Sequence, residues 1–173
     1  MDLADDPVWT ERFERAREYV ETHTDPLDVF HIGSTAIPDL AGKPELDVLG
    51  VYEDVDAVRA AGDALVAGGD EWERTDADDV VVVYRRDPPA GEFLRLHTVA
   101  DDAVRQQLAV REYLRADADA RRRYERVKRS AADEHDEFES YQSAKRATVE
   151  TLLAEAREAG HFERLPASVR RDG

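Results

Sequence analysis

Three short stretches of the chain hold residues whose types and spacing suit chemistry. In Glu45-Leu46-Asp47 two carboxylates stand two residues apart. Alternation along a strand would set them on one face, about 6 to 7 Å apart at roughly 3.3 Å per residue. Such a pair can bracket a hard divalent cation, although an isolated acid-x-acid motif is also what a solvated strand edge looks like. Upstream, Gly33-Ser34-Thr35 closes a short apolar segment. A glycine lets the backbone approach a phosphate, and the following amides and hydroxyls can donate to its oxygens; the competing reading is a turn that merely ends a strand. His31 is expected to look toward the same region as Gly33, unless it is a satisfied structural histidine. In the third stretch, Phe93 to Val99, alternation brings Arg95 and His97 to one face. A guanidinium suits phosphate recognition and a neutral imidazole suits proton transfer or metal ligation, but both also serve as plain hydrogen-bonding residues beneath helices.

Composition narrows what these groups can hold. The chain has no cysteine, which excludes disulfides, thiolate zinc sites and cysteine nucleophiles and leaves carboxylates and five histidines as the strong metal ligands. The expected metal is therefore Mg²⁺ or Mn²⁺. Forty acidic against twenty-four basic residues give a net charge of −16, which repels polyanions, so neither duplex nucleic acid nor an anionic membrane is an expected partner. The basic residues are almost all arginine, with lysine only at positions 43, 128 and 145, and acids crowd Asp2 to Asp6 and Asp76 to Asp79. That bias fits a halophilic protein, the alternative being an ordinary acidic cytosolic one. The valine run Val80 to Val83 is far too short to span a bilayer, and no secretory signal pattern opens the chain, so a cytoplasmic location is expected.

The elements that must position these residues are legible as periodicities. Val8, Trp9, Phe13, Ala16, Tyr19 and Val20 predict a helix from Pro7 to His23. Asp28 to Gly33 and Glu45 to Val51 read as strands, with a turn-rich loop between them, and Glu53 to Gly68 as a helix ending at Gly68-Gly69. Val80 to Arg86 and Phe93 to Val99 read as a hairpin around Asp87-Pro88-Pro89-Ala90-Gly91. Helices are expected near 101–115, 118–131 and 135–159. On the last of these Phe138, Tyr141, Lys145, Val149, Leu152 and Ala156 follow 3-4 spacing, which sets Lys145 on an inward stripe, either snorkelling past the core or reaching a buried anion. The expected fold class is α+β (mixed α/β), one domain over 1–173. It divides into a sheet-containing core at 1–100, a helical lobe at 101–160 and a tail at 161–173, where Pro166 and the charged terminus suggest fraying.

One set of residues carries a family resemblance. His31-Ile32-Gly33-Ser34-Thr35-Ala36-Ile37-Pro38, then Leu40-Ala41-Gly42-Lys43-Pro44 and Asp47-Val48, resembles the signature of the GrpB family, a branch of the nucleotidyltransferase superfamily. The similarity continues through Leu96-His97-Thr98-Val99, Arg111-Glu112-Tyr113-Leu114, Tyr124 with Lys128, and Tyr141 with Lys145. It implies a nucleotidyltransferase-like mixed sheet flanked by helices. It also implies a site in which Gly33, Ser34 and Thr35 bind the phosphates of a nucleoside triphosphate or other phosphorylated small molecule, Glu45 and Asp47 hold Mg²⁺, and Lys43, Arg95 or Lys145, with Tyr141, contact or neutralise the phosphates. The superfamily's third carboxylate is sought on the strand of His97, where Glu92 is the nearby acid. The leading expectation is Mg²⁺-dependent transfer of a nucleotidyl group to an acceptor hydroxyl, which His31 or His97 would orient or deprotonate. The alternative is a non-catalytic nucleotide- or phosphate-binding module that retains the fold.

Overall fold

The computed structural model describes residues 7–38, 40, 45–86, 91–134 and 138–170. In chain order these form α1 (Pro7–His23), β1 (Asp28–Ile32), a 3-10 turn (Ser34–Ala36), β2 (Glu45–Tyr52), α2 (Val55–Ala67), β3 (Glu73–Ala77), β4 (Val80–Arg85), β5 (Gly91–Thr98), α3 (Asp102–Ala116), α4 (Ala118–Glu134) and α5 (Phe138–Glu158). The strands make one mixed sheet of order β1-β2-β5-β4-β3, in which only the β2–β5 pair is parallel. This is the expected α+β class, with the helical half following the sheet.

β2 is an interior strand, between β1 and β5, and is buried on both faces from Val48 onward, which is why its sequence is nearly continuously apolar there rather than alternating. Leu46, Val48 and Tyr52 join Val29, Leu94, Leu96, Val81 and Val83 in a core roofed by α1 and α2. Leu49 and Val51 join Phe30 and Ile32 in a second core, on the opposite face, under α3, α4 and α5. The helical layer rests on the β1 and β2 end of that face and on the last residues of β5. Farther along the same face, Val82, Tyr84, Phe93 and Arg95 remain half-buried. That border between covered and uncovered sheet is where a cleft forms.

Helix ends follow ordinary capping chemistry. Asp54 and Asp101 accept from the backbone N–H of Ala57 and Ala103 at the starts of α2 and α3. Asp117 closes α3 through its own N–H to the Tyr113 carbonyl and opens α4 by accepting from the Ala120 N–H, so one residue makes the sharp turn between them. Glu155 of α5 then ties the layer together. It accepts from the Tyr113 hydroxyl at 2.6 Å and from both terminal nitrogens of Arg123 at 2.9 and 2.8 Å. The Arg123 and Tyr113 hydrogen bonds hold the Glu155 carboxyl down at about 2.

Two features depart from the sequence-based expectation. β3, Glu-Arg-Thr-Asp-Ala, carries no apolar alternation because neither of its faces is covered by a core; its register is set by pairing with β4 across the Asp78-Asp79 turn, where Asp78 adopts φ 53°. Arg74, bonded to Asp76 and Asp63, ties that edge back to α2. The stretch 161–170 is not frayed. Leu165 and Val169 are buried in the core under α3–α5, Arg105 donates to the Val169 carbonyl, and Ser168 donates to Asp28 at 2.7 Å. Leu165, just before the turn begun by Pro166, and Val169 within it dock the segment together with those two bonds.

Because these contacts are internal, Leu165→Ala is expected to lower the unfolding free energy by roughly 2 to 4 kcal/mol, the range for a buried leucine. Urea denaturation giving a change within experimental error of zero would return 161–170 to the status of a loose tail.

Candidate functional site

The Gly-Ser turn is built by a close approach. Ile32 pairs with Asp47 in the β1–β2 register, and Gly33, the next residue, adopts φ 79° with its Cα against the Asp47 side chain. A Cβ at Gly33 would lie 2.6 Å from Asp47 Oδ2, so both backbone sign and space demand glycine. The turn is held from behind as well. His31 Nε2 and Thr35 Oγ1 are 2.9 Å apart, and Thr35 donates to the Glu45 carbonyl at 3.1 Å. With the hydroxyl proton committed to that carbonyl, Nε2–H of the imidazole must be the donor to Thr35. From α3, Arg111 donates to the His31 carbonyl at 2.9 Å and Arg115 to the Ala36 carbonyl at 2.8 Å.

This scaffolding reassigns several of the expected site residues. The Thr35 side chain is buried and used internally, so of the three turn residues only Gly33 and Ser34 face the cleft. His31 does not look toward it: alternation in β1 turns its ring to the α1 face, where it stacks on Phe13 with centroids 5.2 Å apart. His97 shares the sheet face of Arg95, as expected, but is buried beneath the start of α3, with Nδ1 2.9 Å from Asp101 Oδ2, away from the cleft. Glu92 points to the opposite face from Asp47 and pairs with Arg85 at 2.9 Å. Lys43 lies outside the described residues, as do the side chains of Tyr141 and Lys145.

What the fold does bring together is a cleft of about 400 Å³ at the border of the helical layer. Ile32, Gly33 and Ser34 form one end, and Asp47 and Arg95 the sheet wall. Gln106, Gln107, Val110, Arg111 and Leu114 form the α3 wall; Tyr124 and Lys128 come from α4, and Val149 and Leu153 from α5. Lys128 Nζ lies 5.4 Å from the Tyr124 ring centroid. The α3 glutamines and Lys128 were not singled out as site residues from sequence. Their signals were present in the stripe Gln107, Val110, Arg111, Leu114 at helical spacing and in the rarity of lysine.

Glu45 and Asp47 do share a face, since Leu46 and Val48 occupy the other core. The donor set nevertheless fits a divalent cation poorly. Arg95 donates to Asp47 Oδ1 through Nη2 at 3.1 Å and Nε at 3.3 Å, while Oδ2 is packed against Gly33. Among the described residues no three carboxylate or imidazole side chains converge on one point.

The mixed sheet with helices packed over one end has the nucleotidyltransferase fold. Terminal uridylyl transferase 4 from Trypanosoma brucei, solved with bound CTP, superposes with a TM-score of 0.56 at 14% identity, covering 94% of this chain and 60% of that one. Within the fold, the chain belongs to the GrpB family, whose profile (GrpB protein) matches residues 3–155. The crystal structure of the conserved protein GrpB from Enterococcus faecalis superposes with a TM-score of 0.73 at 25% identity, covering 89% of this chain and 95% of that one. A UPF0157 protein of Streptomyces coelicolor is 31% identical over 153 residues, 87% of this chain and 81% of its own length.

Two outcomes follow from the turn. Gly33→Ala is expected to cost about 2 kcal/mol or more through positive-φ strain and displacement of Asp47; chemical denaturation indistinguishable from the parent would contradict the close approach. Burial first, then the charges of Arg115 and Arg111, push the His31 imidazole from 6.5 down to about 4. Between those values the unfolded chain binds more protons. The stability from keeping His31 neutral is thus full above about pH 6.5 and lost as pH falls through about 4, an effect on the order of 3 kcal/mol. His31→Gln should flatten the pH dependence of unfolding across that window, and an unaltered slope would exclude this linkage.

Proposed function

We propose that the cleft binds a nucleoside triphosphate or a closely related phosphorylated small molecule, with the phosphates toward Gly33 and Ser34 and the apolar part between α3, α4 and α5. The observation that carries this reading is the convergence, in one cleft, of a glycine turn, the cations Arg95 and Lys128, the amides Gln106 and Gln107, and an apolar wall including Val149 and Leu153. Its volume of about 400 Å³ suits a ligand of that size. Each part has a distinct task. Backbone amides after Gly33 and the Ser34 hydroxyl can donate to phosphate oxygens, the two cations place positive charge locally in a chain whose net charge is −16, and the glutamines offer paired donors and acceptors to a heterocycle edge.

Nucleotidyl transfer is the second reading, favoured by Glu45 and Asp47 lying on one face. Those two carboxylates would hold the metal, which when bound would neutralise phosphate charge. Arg95 on Asp47 weighs against that assignment, and binding without transfer is the function the geometry supports best.

Calorimetric titration with each of the four ribonucleoside triphosphates tests the proposal. At least one should saturate the protein with one-to-one stoichiometry, and Lys128→Ala should weaken it roughly tenfold, as expected for loss of one charge-assisted contact. Equal affinity in the variant, or no saturation by any triphosphate, would sink it.

A further inference from the structure

We infer that the guanidinium of Arg95 replaces the divalent cation of this fold in the cleft, so that phosphate binding here is metal-independent and Asp47 serves as the internal counter-anion of Arg95. The inference rests on the binding reading above and specifies its chemistry.

The placement follows from strand register. Parallel pairing sets Phe93 beside Asp47 and Arg95 beside Leu49, one step farther along on the same face. The Arg95 side chain reaches back over Phe93, its guanidinium carbon 5.7 Å from the ring centroid, to meet Asp47 Oδ1. Where a third carboxylate would complete a cation site, this face of β5 offers Gly91, Phe93, Arg95 and the buried His97. The strand therefore contributes a positive charge to the point at which a metal would need negative oxygens. A divalent ion on Asp47 would have to displace the guanidinium and then tolerate it as a like-charged neighbour.

Arg95 is also suited to hold a phosphate. Its contacts with Asp47 use Nε and Nη2 on a single carboxylate oxygen, its side chain is 39% exposed, and it lines the same cleft as Gly33, Ser34 and Lys128. A planar guanidinium presents its donors to an anion in a fixed fork, which a flexible lysine lacks. The consequence has a definite sign: the incoming phosphate competes with Asp47 for Arg95. Removing the Asp47 charge should strengthen binding, whereas removing a metal ligand would abolish it.

The test compares the parent chain, Asp47→Asn and Arg95→Gln by calorimetry against inorganic tripolyphosphate and the four ribonucleoside triphosphates. Titrations are run once with EDTA and once with excess MgCl₂, and thermal melts confirm folding. Asp47→Asn, which preserves shape, is the primary variant. The parent should bind in EDTA at least as tightly as with Mg²⁺, Asp47→Asn should bind about threefold to tenfold tighter in EDTA, and Arg95→Gln roughly tenfold weaker. Binding that needs Mg²⁺, or that Asp47→Asn abolishes, would overturn the inference while leaving the binding reading standing. No binding of any probe under either condition would overturn both.

Discussion

The packing of the Asp47 carboxylate between the backbone of Gly33 and the guanidinium of Arg95 is the constraint on which the site depends. It joins three strands, two of them consecutive in sequence and the third, β5, reached only after β3 and β4. β1 delivers Gly33 at φ 79°, β2 delivers Asp47, and β5 delivers Arg95 through the parallel register. A side chain at Gly33, a slip of β1 against β2, or a shift of β5 by one residue would each break it, the last by turning Arg95 to the opposite core. The turn that faces the cleft is therefore a product of sheet register as much as of its own residues.

Arginine supplies much of the framing. In a chain with forty acidic residues and three lysines, Arg111 and Arg115 grip the carbonyls at the two ends of the turn, and buried Arg105 binds the carbonyls of Val99 and Val169. A guanidinium can satisfy several carbonyls at once while stacking on apolar surface, and Arg111 lies over the Phe30 ring. These cations act chiefly as hydrogen-bond anchors. The cleft is lined by a small set of positive groups, Arg95, Arg111 and Lys128.

The helical layer decides how large that cleft is. α3, α4 and α5 cover the sheet at its β1 and β2 end and over the last residues of β5, and Glu155 locks the three helices to one another through Tyr113 and Arg123. Tyr124 and Lys128, one and five residues beyond Arg123, are thereby held opposite the Gly-Ser turn. The tail from Leu165 to Val169 buttresses the same core from the side away from α1 and α2.

The sequence by itself determined the element types, because periodicity is local: Pro7–His23, Val55–Ala67 and the three C-terminal helices lie within a few residues of where their apolar spacing puts them. It also determined that Glu45 and Asp47 share a face, that Arg95 and His97 share a face, and, through the specific run from His31 to Pro38, the family. Tertiary structure alone decided which face was which. His31 and Gly33 stand two apart, yet the chain leaves the strand at Gly33, so alternation no longer links them and the histidine turns to Phe13 instead. Thr35 and His97 were spent on internal bonds that no spacing rule reveals, and the edge strand Glu73–Ala77 had no core to write a pattern into its residues. The meeting of Arg95 with Asp47, forty-eight residues apart, depends on which strands lie side by side. That is a property of the sheet, and it is what sets a guanidinium beside the carboxylate expected to hold a metal.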